Sequence, residues 1–383
     1  MGHSLARKSG SLDRGVLGCK SFDLASHSLC RDADSKTEIQ MDVLSEVLKA
    51  VKLDGAVFYN AEFSAPWCFS SPRSLDLAPY LSAVGKHVII FHLLTEGCGS
   101  AHVEGDGHPL MLEAGDLVIV PHGDPHAMRN GPFIGSVDQA EQVQRIVLQG
   151  LKVARMGGGG ETAKFICGYM TCDPHLSRTL LGGLPPILKV NIRSDVSGQW
   201  LEQTLRYSVD HADVAQPGGE VMLAKLSEVL FIETLRRYIA QLPPDQIGWL
   251  AGARDPEVGK ALALLHRKPA HPWTVASLGQ EVGISRSVLA DRFRRFLSET
   301  PMAYLSRWRL QLGARLLQTT NNSVAQIACE VGYESESSFN RAFKREFSFP
   351  PATFRSRSRA LRDQPVRKPT AGRHRRVKAR SKM

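Results

Sequence analysis

The chain has 383 residues, 43% of them hydrophobic, and a formal net charge of +10. That length supports two or more domains with packed cores, while no run approaches the roughly eighteen apolar residues a membrane helix needs and the N-terminus lacks the apolar stretch of a secretion signal. Seven scattered cysteines, an odd number, fit reduced cytosolic thiols better than a disulfide framework.

Residues 1–40 are rich in Ser, Arg and Asp without periodicity and read as a disordered extension, with Met41 a candidate start. A short amphipathic helix is expected over 42–49. Strand-like runs follow at Ala56–Phe63, His87–Leu94, Leu117–Val120, Arg145–Leu151 and Phe165–Met170, bounded by Gly, Pro and Asp clusters. Short strands at this spacing imply a β-sandwich or small barrel. Residues 220–241 switch to a helical period with a broad apolar face, as for docking on the barrel or on a second subunit. Leu242-Pro243-Pro244-Asp245 ends that helix, and residues 246–256 read as linker.

Between Trp273 and Phe354 lie two similar units. In each, a short helix, a glycine turn (Gly283 or Gly332) and a second helix follow one another, and the second helix repeats apolar residues at helical spacing. These are Leu289, Phe293 and Phe296 in the first unit and Phe339, Phe343 and Phe347 in the second. Such spacing buries one stripe and frees the opposite face. The free face carries Arg286, Ser287, Ala290, Asp291 and Arg294 in the first unit, and Ser337, Asn340, Arg341 and Lys344 in the second. A helix spanning 301–318 joins them. Beyond it, residues 352–383 hold twelve Lys/Arg against one Asp, whereas residues 1–254 carry about −5. A basic end behind an acidic body points to a polyanion partner.

The ordered pattern Leu278, Gly283, Ser285, Phe293, Pro301, Arg309, Ala314, Ile327-Ala328, Val331-Gly332-Tyr333, Ser337-Ser338-Phe339, Ala342-Phe343-Lys344, Pro351 and Phe354-Arg355 resembles the DNA-binding domain of AraC/XylS-type transcriptional regulators. Gly279 stands for the usual alanine and Ser348 for a common glycine. The resemblance implies base contacts from Ser287, Ala290, Asp291, Ser337, Asn340 and Arg341, on helices entering successive major grooves. By bidentate geometry Arg341 suits guanine and Asn340 adenine, with Arg286, Arg294 and Arg295 left for phosphates.

A second pattern, Gly115, Pro121-His122-Gly123, His126 and Asn130, is similar to the second motif of cupins. The first cupin motif is degraded: Gly97 fits its glycine, but Ile90 stands where a metal-binding glutamate is expected. His92 shares the face of Ile90, because strand side chains alternate. His92 and His126 can therefore meet inside the fold. Three readings follow: two core histidines framing an effector pocket, a metal or redox site using a thiol such as Cys68 or Cys98, or an enzymatic centre. The Cys167/Cys172 pair is a further thiol candidate, with loose metal-like spacing but no second pair.

The expected architecture is multidomain α+β: a cupin-like β-barrel followed by helices, then an all-α domain with two helix-turn-helix units. The expected segments are 1–40 extension, 41–245 sensor and dimerisation domain, 246–256 linker, 257–355 DNA-binding domain and 356–383 disordered basic tail. The expected function is a cytoplasmic, nucleoid-associated transcription regulator and not an enzyme. Its expected partners are double-stranded DNA, RNA polymerase, a small-molecule or redox effector and a second copy of itself, with no membrane. The alternative is a metal-dependent cupin enzyme, with the ion at His92 and His126, tethered to a DNA-binding module.

Overall fold

The computed structural model describes residues 43–51, 53–78, 81, 86–103, 108–131, 153–174, 181–211 and 217–362. The extension 1–40, Met41 and the strand expected at 145–151 lie outside the described residues.

Helix α1 (Val43–Val51) is followed by β1 (Asp54–Ser64), β2 (Trp67–Ser71) and the single turn α2 (Ser74–Leu77). Strands β3 (His87–Glu96), β4 (Cys98–Val103), β5 (Leu110–Glu113), β6 (Asp116–Val120), β7 (His126–Asn130), β8 (Val153–Gly157), β9 (Thr162–Cys172) and β10 (Leu188–Asn191) come next. They form a six-stranded sheet in the order β10-β6-β3-β9-β1-β8 and a four-stranded sheet in the order β2-β7-β4-β5. Among the described residues the β-rich fold is thus two stacked sheets, the sandwich form of the expected sandwich or barrel, and the ladders do not close.

The central strands are buried on both faces. Along β3, Val88, Ile90 and Leu94 point between the sheets, while Ile89, Phe91 and Leu93 point outward into a second core. On that outer face lie helices α3 (Val196–Asp210) and α4 (Gly219–Gln241). α4 comes very near the sheet at Gly55, where a Cβ would sit 2.8 Å from the Ala224 carbonyl oxygen. α3, absent from the sequence expectations, is tied to β3 through charge. Arg206 pairs with Glu96 at 2.5 Å, and Arg193 holds Glu202 at 2.5 Å while donating to the Thr95 carbonyl at 2.7 Å.

The stretch expected as linker is ordered. Its α5 (Trp249–Arg254) is buried over its first four residues and leads straight into α6 (Pro256–Arg267), capped by Asp255. Then follow α7 (Val275–Val282), α8 (Arg286–Leu297), α9 (Pro301–Thr319), α10 (Val324–Glu330), α11 (Glu336–Phe347) and α12 (Pro351–Arg362). α12 takes the first seven residues of the expected tail into a helix; the remainder lies outside the described residues.

One core runs across the sequence boundary between sensor and DNA-binding parts. It holds Val43 and Val47 of α1, Phe91 of β3, Phe231 of α4, Leu262 of α6, and Leu278, Leu289 and Phe293 of the first unit. The second unit has a core of its own, with Leu310, Leu317, Ile327, Phe339 and Phe343. Two melting signatures are therefore expected. Val47→Ala should cost about 1–3 kcal/mol and lower the transition shared by sensor and first unit, while Phe343→Ala, at about 3–5 kcal/mol, should act on the second unit. Scanning calorimetry of the two variants checks this; identical shifts of one transition would contradict it.

Candidate sensor site and nucleic-acid interface

His92 and His126 meet, as their strand positions imply. His92 lies on the six-stranded sheet and His126 opens β7 on the other, so their contact spans the sandwich. Their Nε2 atoms are 2.8 Å apart, and the rings are only 1% and 4% exposed. The third member is Cys167, directly opposite His92 in the β3–β9 ladder, with Sγ 2.8 Å from His92 Nδ1. His126 Nδ1 lies 3.0 Å from the Asp124 carbonyl oxygen.

Burial lowers the pKa of both histidines, for His92 with a further contribution from its neighbour His126, so both rings are neutral. Neutrality sets the direction of each bond. The Asp124 carbonyl can only accept, so His126 carries its proton on Nδ1 and accepts at Nε2. His92 then donates from Nε2 and accepts at Nδ1, and the Cys167 thiol donates to it. The chain runs Cys167 to His92 to His126 to the backbone, with every proton used once.

Of the thiols singled out from sequence, Cys167 joins the histidines and the others lie elsewhere. Cys68 alternates with buried Trp67 and Phe69 and points away from the interior, and Cys98 is exposed, near Asn130. Cys172, five residues after Cys167, faces the opposite core. The donor set does not fit a cupin metal centre. A cupin centre takes three or four N/O ligands, whereas here two imidazoles meet and their Nε2 atoms are hydrogen-bonded to each other. His92 Nδ1 is taken by the thiol, and Ile90 is buried at the glutamate position. Among the described residues, no group of three or more ligating side chains is arranged to hold a metal. Aromatic rings wall the same interior: Phe69 meets the His92 ring edge-on, and Trp67 packs on Phe63 and Phe165. Trp67 Nε1 is buried with no hydrogen-bond partner among the described residues.

The two helix-turn-helix units repeat each other in detail. Thr274 and Ser323 cap the first helices with reciprocal bonds to Ser277 and Gln326. Ser285 and Ser335 cap the second helices. Gly283 and Gly332 take φ of 84° and 91°, the left-handed turn where glycine carries no penalty. Gly279 sits so near the turn that a Cβ would lie 2.8 Å from the Ile284 carbonyl oxygen.

On α8, Arg286, Ser287, Asp291 and Arg294 are exposed and Ala290 is half-buried. On α11, Ser337, Arg341 and Lys344 are exposed and Asn340 is half-buried. All nine thus lie on the surface opposite the buried Leu289, Phe293, Phe339 and Phe343. Asp291 is paired with Arg294 at 3.2 Å, and Arg341 leans on Ser338 at 3.3 Å. Arg292 is turned away and holds Asp255 and Glu257 at the start of α6, at 2.9 and 2.6 Å. Val288 was missed from sequence: an apolar residue 43% exposed in the first turns of α8, suited to a thymine methyl. Its place between Ser287 and Leu289, off the apolar stripe, was the available signal.

A sandwich with a functionalised interior, joined through a shared core to paired helix-turn-helix units, defines a DNA-binding regulator with a sensor domain. The comparisons agree. Residues 42–240 match the Cupin family and residues 278–357 the Helix-turn-helix domain family. The HTH-type transcriptional regulator AlkR of Acinetobacter baylyi is 30% identical over 321 residues, 83% of this chain and all of that protein. An AraC-like transcription regulator of Streptomyces lividans is 31% identical over 82% of this chain and 98% of its own length. The RCS-specific HTH-type transcriptional activator RclR of Escherichia coli is 28% identical over 84% and 99%. This chain belongs to the AraC-type helix-turn-helix transcriptional regulators that carry an N-terminal cupin domain. No helix among the described residues is long and apolar enough to cross a membrane.

Buried neutral histidines make stability depend on pH. His266, stacked on Trp308 at 4.1 Å and bonded to the Tyr304 hydroxyl at 2.7 Å, is held down to about 3 by burial. Below its ordinary value near 6.5 the unfolded chain binds a proton that the folded chain refuses, and the same sign holds for His92 and His126. Stability should therefore fall as pH drops from about 6.5 toward 5. Denaturant titrations at three pH values test it, and His92→Asn/His126→Asn should flatten part of the slope.

Proposed function

We propose that the chain switches transcription by reading DNA with α8 and α11 and receiving a small-molecule or thiol-directed redox signal at the Cys167–His92–His126 chain. The observation that carries the sensing half is the position of that chain. It links the two sheets of the sandwich, and it sits on β3, whose outward residues belong to the core that continues into the first helix-turn-helix unit. A change in the protonation, oxidation or contacts of the chain alters packing on one face of β3 and is felt on the other. RclR is by its name an RCS-specific activator, so a relative matched along nearly its whole length answers to a defined signal.

On DNA, Arg341 and Asn340 of α11 carry most of the base readout. α8, with Ala290 and an Asp291 already paired to Arg294, contributes apolar contact through Val288 and phosphate contact through Arg286 and Arg294. The protein works in the cytoplasm as a homodimer and acts on RNA polymerase at its promoters; the relatives named as regulators support a non-enzymatic role.

Two measurements test these assignments. Arg341→Ala should weaken operator binding by about 1–3 kcal/mol and relax the preference at one base position; an equal loss on all sequences would make it a phosphate contact. Cys167→Ser should abolish the effect of oxidant on DNA affinity in the purified protein while leaving basal binding in place. A full oxidant response in that variant would remove the thiol from the sensing chain and return attention to Cys68 and Cys98.

A further inference from the structure

The two helix-turn-helix units do not share a buried core. α9 serves both, with Tyr304, Leu305 and Trp308 in the first core and Leu310, Ala314 and Leu317 in the second. Half-buried Leu312 touches the two. Apolar packing thus seats each unit on its own half of α9, and what braces one against the other is polar.

That brace centres on Arg309. Its Nε donates to the Pro269 carbonyl at 2.7 Å and its Nη2 to the His271 carbonyl at 2.9 Å, in the loop that leads into α7. The loop is itself stiffened. Trp273 Nε1 donates to the Lys268 carbonyl at 3.0 Å, and the Trp273 backbone N–H to the His271 carbonyl at 2.8 Å. From the other unit, the turn at Gly332 reaches the same place. A Cβ there would lie 2.6 Å from Ala270 Cα and 3.0 Å from the guanidinium carbon of Arg309. Ser306 and Tyr333 add a weaker tie, with hydroxyls 3.4 Å apart. The fork of one arginine therefore meets the entry loop of the first unit and the turn of the second. A lysine could not reproduce that two-pronged geometry.

We infer that Arg309 is a positioning residue for DNA recognition: by clasping the 268–273 loop beside the Gly332 turn, it holds α8 and α11 at one separation and one rotation. Each base pair added between two half-sites moves the second by about 3.4 Å and turns it by about 34–36° around the duplex. A rigid pair of readers must then bend the DNA or give up one set of contacts. A pair with a loosened joint can follow the displaced site.

The test uses the full-length protein and a duplex that wild type selects from random-sequence DNA. That duplex is compared with versions carrying one base pair more or fewer between the half-sites. Wild type should lose about tenfold or more in affinity on either altered spacer. Arg309→Met, which keeps the aliphatic stem and removes the donors, should bind the original duplex more weakly and lose only about threefold further on the altered spacers. A variant that weakens by the same factor on all three duplexes, keeping the wild-type spacer profile, overturns the proposal and marks Arg309 as a phosphate contact or a general support. Should Arg309→Met fail to fold, Arg309→Gln, which removes the charge and the fork, carries the same comparison with the same two outcomes.

Discussion

The structure depends on the fact that β3 is buried on both faces. A strand sends alternate side chains to opposite sides, so Val88, Ile90, His92 and Leu94 line the space between the sheets while Ile89, Phe91 and Leu93 enter the core beneath the helices. That second core does not stop at the sensor. It passes through α1 and α6 to Leu278, Leu289 and Phe293. Interiors packed to crystal density do not absorb local change by compression. A displacement of His92 by a fraction of an ångström is therefore also a displacement of its neighbours Phe91 and Leu93, with no soft layer between sensor and first reader.

Within that frame, the polar chain of Cys167, His92 and His126 is costly unless complete. Three polar groups in an apolar interior are tolerated because each proton has a donor and an acceptor, ending on the Asp124 carbonyl. Adding or removing one proton breaks the order and leaves a charge in the apolar interior, which costs more than an unpaired neutral group at about 1–3 kcal/mol. The two Nε2 atoms are committed to each other and Ile90 stands at the glutamate position, so the cupin pattern is present here without the cupin ligand set.

The DNA-binding half was largely legible in the sequence, because helical spacing of Leu289, Phe293, Phe339 and Phe343 leaves one geometry for each unit. The sensor was legible only where a motif or a strong strand marked it. His92 and His126 could be brought together by alternation alone. Cys167 could not, since its partnership requires the register that sets it opposite His92 across β3 and β9. α3 escaped although Leu201, Leu205 and Val209 form a buried stripe, because the exposed Val196, Trp200 and Tyr207 spread apolar residues round the helix and blur its face. Residues 249–254 read as linker because six residues are too few to show a period; their helix exists by virtue of what Trp249 and Leu250 bury against, including the Tyr304 hydroxyl that accepts from the Trp249 indole. The arginine clasp at the joint involves backbone carbonyls, which no side-chain pattern announces.

The indole N–H of Trp67 is buried among aromatic rings. It is enclosed by Phe63 and Phe165 and meets no acceptor among the described residues. A buried donor without an acceptor costs about 1–3 kcal/mol, a penalty that the aromatic packing around Trp67 has to outweigh.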